Sequence, residues 1–117
     1  QLRDCRHPRD LAPLVLNQIL SQRKLSTADR ILNLSGGAES AMSLRQLTAW
    51  CDERFGRHDV ASKPENRPFD IPWMVLDASK AKTLWNWHPA TPRIQILEEI
   101  ALHAEENPDW LEISATF

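Results

Sequence analysis

A chain of 117 residues, 42% apolar and 26% charged, is one domain's worth of globular sequence with room for one modest core. Its formal charge is −2, with acidic and basic residues interspersed, which argues against the concentrated basic surface that nucleic acids or anionic membranes require. No apolar run approaches the roughly 18 residues that cross a bilayer, and no signal peptide is recognisable, although Gln1 is not a natural start.

The first helix is marked by Asp10 as a candidate N-cap and by Pro13 in the first turn, where a missing N–H costs little. Leu11, Leu14, Val15 and Ile19 follow at helical spacing up to about Ser21. Residues 22–29 are polar and read as a loop. Residues 30–34 (R-I-L-N-L) are short, apolar and partly β-branched, and they end at Ser35-Gly36-Gly37, as a strand running into a turn does. Ser43 and Gln46 have capping-box spacing. Leu44, Leu47, Cys51 and Phe55 form the apolar stripe of the helix that follows, and Gly56 ends it. Residues 60–63 read as a second, weak strand, so strand, helix and strand predict a βαβ unit with a small parallel pair. Residues 64–72 are a proline-rich loop, and residues 74–76 are short and apolar. Asp77 caps a short helix carrying Ala78, Ala81, Leu84 and Trp85. Thr91 as N-cap and Pro92 at the first helical position open the last helix. Its predicted buried face is Ile94, Leu97, Ile100, Ala101 and Ala104, and Asn107-Pro108 closes it, leaving a tail with Ile113 and Phe117. The predicted fold is a helix-rich α/β with about four helices and a very small, partly parallel sheet. That is too few strands for a complete doubly wound domain, which points to a fragment.

No complete catalytic set is present. There is no G-x-G-x-x-G loop and no G-x-S-x-G elbow, and Ser35-Gly36-Gly37 alone is a weak signal. His7, His58, His88 and His103 are scattered. Cys5 and Cys51 lack C-x-x-C spacing, so no zinc site is expected, and Cys51 reads as a buried free thiol. Two arginine loops remain, one running from Arg3-Asp4 to Arg9-Asp10, the other Asn66-Arg67-Pro68-Phe69-Asp70. A guanidinium offers planar, bidentate donors to phosphate oxygens, and a nearby Asp accepts from ribose hydroxyls or orients the Arg. On pattern alone the competing reading, surface ion pairs of little energetic value, is the stronger.

At these residues the sequence resembles the C-terminal half of the extended short-chain dehydrogenase/reductases, the NAD-dependent nucleotide-sugar epimerases and dehydratases. Members carry an R-D-x-x-H-V-x-D-L-A segment, here Arg3-Asp4-Cys5-Arg6-His7-Pro8-Arg9-Asp10-Leu11-Ala12. An N-x-G-G-G or N-L-G-x-G turn follows, here Asn33-Leu34-Ser35-Gly36-Gly37, and then a Ser-Leu helix start, here Ser43-Leu44. An R-x-G-D loop corresponds to Arg67-Pro68-Phe69-Asp70. The D-x-S-K-A and L-x-W-x-P motifs stand as Asp77-Ala78-Ser79-Lys80-Ala81 and Leu84-Trp85-Asn86-Trp87-His88-Pro89. Phe69 replaces the usual Gly and Pro8 the usual Val. The resemblance spans almost the whole chain and touches the subgroups of UDP-galactose 4-epimerase and CDP-paratose 2-epimerase.

The resemblance implies that residues 1–117 are the C-terminal, substrate-binding subdomain of an extended Rossmann-type enzyme of the cytoplasm. Arg3 and Arg67 would bind the nucleotide diphosphate and Asp70 the nucleoside side of a nucleoside-diphosphate sugar. Asp4, His7 and Asp10 would be structural, Asp10 as a cap and His7 as a packing or hydrogen-bonding residue at the turn. The NAD site and the Tyr-x-x-x-Lys catalytic pair lie upstream of the matched region in that family, and this chain holds no tyrosine. No catalytic, cofactor-binding or metal-binding residue is therefore assigned here, and the segment alone is expected to be inactive. Faces that pack on the NAD domain would be exposed, so a homodimer is among the expected states. The alternative is a free-standing binding or interaction module derived from the same family.

Overall fold

The protein is described as a computed structural model covering residues 1–61, 69, 71–110 and 112. Its sheet is built around the first residues of the chain. Strand β1 (Leu2–Asp4) lies between β2 (Ala41–Ser43) and β3 (Trp73–Met74). It pairs antiparallel with β2, Arg3 opposite Met42, and parallel with β3, Arg3 opposite Met74. The Leu2 N–H donates to the Pro72 carbonyl at 2.9 Å and the Cys5 N–H to the Ser40 carbonyl at 3.2 Å, which prolongs the pairing at both ends. Side chains alternate along a strand, so Arg3 lies on one face of β1 and Asp4 on the other.

Four helices complete the described residues: α1 (Leu11–Leu20), α2 (Leu44–Phe55), α3 (Ser79–Trp85) and α4 (Arg93–Glu106). The expected helix-rich α/β class with a small, mixed sheet is what the chain adopts, but the strands fall elsewhere than predicted. Residues 31–36 pair with no strand among the described residues. Their alternation is real: Leu32 and Leu34 turn inward onto the core while Ile31 is exposed. An apolar alternation fixes which side chains are buried; it does not supply a neighbouring backbone. Residues 60 and 61 are likewise irregular, and residues 62 and 63 lie outside the described residues. The expected βαβ unit through α2 is therefore not formed, and the parallel pair is β1 with β3.

Helix α2 starts as its sequence requires. The Ser43 Oγ accepts from the Gln46 N–H at 3.2 Å, and the Gln46 Oε1 accepts from the Ser43 N–H at 2.8 Å. Gly56 ends the helix at φ +94°, donating its N–H to the Asp52 carbonyl. Ahead of α3, the Asp77 carboxylate accepts from the Ser79 N–H and hydroxyl at 2.8 and 3.0 Å. Helix α4 departs from prediction twice. Pro92, not Thr91, is the cap residue, because the Thr91 hydroxyl is drawn away to Asp10. The buried residues are Ile96, Leu97 and Ala101, whereas Ile94 and Ile100 are 55% and 51% exposed. The helix is rotated relative to its apolar stripe, with Ile96 taken into the interior.

The core consists of Leu14, Ala81, Trp85 and Trp87, with Leu11, Leu25, Leu32, Leu34, Ala78 and Leu84 packed against it. Trp87 buries its ring and satisfies its polar edge, Nε1 donating to the Asp10 carbonyl at 2.7 Å. Helix α1 gives Leu14 to this core and leaves Val15, Leu16, Ile19 and Leu20 exposed. No helix among the described residues is long and apolar enough to cross a membrane.

Candidate functional site

Gln1, Arg3 and Cys5 occupy one face of β1 and form the floor of an apolar groove of about 490 Å³. Met42 of β2 adjoins them. One wall is α2, with Leu44, Leu47, Trp50, Cys51 and Phe55, and the other is α4, with Leu97, Ile100, Ala101 and Ala104. The volume is that of a small-molecule pocket, and its lining is mostly apolar. Arg54 joins the two walls. It donates to Glu98 at 3.0 Å and, as a fork, to Glu105 at 2.8 and 2.9 Å, and the Glu105 and Glu98 carboxylates hold its guanidinium above its usual basicity. Both free thiols border this groove and both are half-buried, so Cys51 is less buried than its helix position predicted. Burial raises the Cys5 pKa, opposed by the Arg93 cation.

Of the three residues expected to hold a nucleotide, Arg3 is described. Its stem covers the groove floor and its Nη1 donates to the Leu2 carbonyl at 2.8 Å. Arg67 and Asp70 lie outside the described residues. The strand that follows their loop is described, and it is β3, laid directly beside the strand carrying Arg3.

On the opposite face, Asp4 ties three separated sequence motifs together. Its Oδ2 accepts from the Ser35 hydroxyl and from the Gly36 N–H, the latter at 3.0 Å. The Ser35 Oγ also lies 2.8 Å from the Leu76 carbonyl and accepts from the Gly37 N–H at 2.9 Å. Ser35 is 2% exposed, so water does not compete for these contacts. Gly36 packs so closely that an added Cβ would lie 1.8 Å from the Cys5 carbonyl oxygen. The space that a glycine-rich turn leaves for a phosphate is thus taken here by the chain's own backbone.

Asp10 and His7 join separate parts of the chain by hydrogen bonds, and Asp10 acts differently from the prediction. It makes no side-chain cap on α1. Its Oδ2 accepts from the Ala90 and Thr91 N–H groups, both at 3.1 Å, and its Oδ1 from the Thr91 hydroxyl at 2.7 Å. It secures the approach to α4, about eighty residues further on. Burial alone would raise its pKa. The hydrogen bonds from Thr91 and Ala90, aided by His7, outweigh that and hold it below the ordinary value. His7 Nδ1 lies 3.0 Å from the Arg9 N–H, and Nε2 lies 2.9 Å from the Glu99 Oε2. Arg9 pairs with the same carboxylate. With both ring nitrogens engaged, His7 ties the start of α1 to α4. His58 pairs with Asp52 at 2.7 Å on the surface. Among the described residues no three His, Cys, Asp or Glu side chains cluster as a metal site.

No family model, no curated protein and no solved structure matches this chain.

Proposed function

We propose that this chain is the nucleotide-sugar-binding portion of an NAD-dependent nucleoside-diphosphate-sugar epimerase or dehydratase. Arg3 and Arg67 neutralise the diphosphate as bidentate donors, and Asp70 accepts from the nucleoside. NAD and the groups that move hydride and protons belong to a domain upstream, and this segment supplies substrate affinity. The observation that carries the reading is the hydrogen-bonded junction of Asp4, Ser35, Gly36 and Leu76. The R-D motif and the glycine turn, two of the six elements on which the resemblance rests, meet there with the residue that precedes D-x-S-K-A. Two further features support it. β3, which follows the second arginine loop, lies beside the Arg3 strand. Helix α1, which has no charged residue, leaves an apolar face uncovered, as a face that meets another domain would.

The apolar groove between α2 and α4 favours a second reading, a free-standing binding module whose ligand is apolar. Reading the coding frame upstream of Gln1 separates the two. The enzyme reading expects a glycine-rich strand–turn–helix and a Tyr-x-x-x-Lys pair in that frame. A start codon immediately before Gln1 overturns it and leaves the binding module.

A further inference from the structure

β1 has three residues and β3 two, and Trp73 and Met74 of β3 are both exposed. So short a pairing, with little burial behind it, specifies its register weakly. A slip of one residue would turn Arg3 to the opposite face of the sheet. Something outside the ladder must fix the relation between β1 and β3.

We infer that Ser35 is a positioning residue whose hydroxyl sets that relation, and with it the face of the sheet on which Arg3 stands. The inference rests on the diphosphate reading and adds to it a residue that does not touch the ligand. The Ser35 oxygen reaches β1 through Asp4 and the chain leaving β3 through the Leu76 carbonyl. The Gly37 N–H donates into the same oxygen, which leaves the one hydroxyl proton to be shared between the Asp4 carboxylate and the Leu76 carbonyl. The Gly36 N–H adds a second bond to the same Asp4 oxygen, so one carboxylate of β1 is held by two donors of one turn. Asp4 and Arg3 leave β1 on opposite faces, so this anchor constrains the strand without occupying the binding face. Ser35 is nearly inaccessible to solvent, so no water replaces its hydroxyl once it is removed.

The test is calorimetric titration of the 117-residue chain with UDP, GDP, CDP and dTDP, well below the melting temperature of each variant, with Tm measured separately. Misplacing a binding group by an ångström costs one to two orders of magnitude, so Ser35→Ala and Asp4→Ala are each expected to weaken the best-bound diphosphate roughly tenfold. The double variant should lose less than the two single losses combined, since the Asp4–Ser35 bond is common to both. Asp4→Asn, which keeps an acceptor, should lose less than Asp4→Ala. Ser35→Cys preserves the volume with a poor hydrogen-bonding group, and it gives the same answer if Ser35→Ala does not fold. Wild-type affinity in Ser35→Ala with only a lowered Tm overturns the positioning role, and the diphosphate reading survives if Arg3→Ala still loses binding. Undiminished affinity in Arg3→Ala overturns the diphosphate reading itself, and the role of Ser35 falls with it.

Discussion

Gly36→Ala is expected to remove most of the folding stability of this domain, with a loss on the order of 4 kcal/mol or more. The new methyl would lie 1.8 Å from the Cys5 carbonyl oxygen and 2.7 Å from the Ser40 Cβ. The nearer obstacle is backbone, so no rotamer change relieves the contact. Either the turn retreats, breaking the Gly36 and Ser35 bonds to Asp4, or the chain after β1 is displaced and the Cys5 N–H leaves the Ser40 carbonyl. Gly37→Ala is the matched control. Nothing lies within 4 Å of its added Cβ, and only the backbone at φ +69°, ψ −172° resists, in a region essentially reserved for glycine. That strain costs about 1–3 kcal/mol. Urea denaturation of the two variants should therefore show the larger loss at Gly36. Equal or reversed midpoints would mean that the turn does not lie against β1.

The second large effect is expected at Asp10. The residue is 6% exposed and its carboxylate receives three donors. Asp10→Ala leaves two backbone N–H groups and the Thr91 hydroxyl without their partner, at a cost of about 3 kcal/mol. Asp10→Asn retains an acceptor for the two amides and should cost less. The pH dependence has a definite sign. The folded pKa lies below the ordinary value of 3.8, so the charge contributes its full stability above that value. The contribution is lost as pH falls through the depressed folded pKa. Thermal denaturation from neutral pH down to acid should thus show wild type losing stability more steeply than Asp10→Asn at the acid end. Parallel curves would show that the carboxylate is not held in its charged form.

The parts of the fold legible in sequence are those governed by neighbours in sequence. Ser43 and Gln46 stand three apart, and their reciprocal bonds form as that spacing demands. Asn107-Pro108 ends α4 because a residue before proline resists helical geometry. The strands were not legible, because their partners are distant. Leu2-Arg3-Asp4 has no apolar alternation and becomes the central strand only by meeting residues 41–43 and 73–74. Residues 30–34 have the alternation and find no strand partner among the described residues. Asp10 shows the same limit at one side chain: its position before α1 indicates a cap, while its actual donors are eighty residues away. Of the candidate site, the motifs located Arg3 and the Ser-Gly-Gly turn, but no local spacing could reveal that Asp4 and Ser35 hold that turn against β1. The apolar groove is assembled from β1, β2, α2 and α4, and the stripe on α2 gave half of it.

The central claim is that Arg3 binds a nucleoside diphosphate, and calorimetric titration of the chain and its Arg3→Ala variant with UDP, GDP, CDP and dTDP tests it most directly. A hydrogen-bonded charge contributes about 1.5–3 kcal/mol, so the account predicts saturable binding of at least one of the four and a loss of tenfold or more in Arg3→Ala, measured well below its Tm. Binding of none of them, or equal affinity in both proteins, would contradict it.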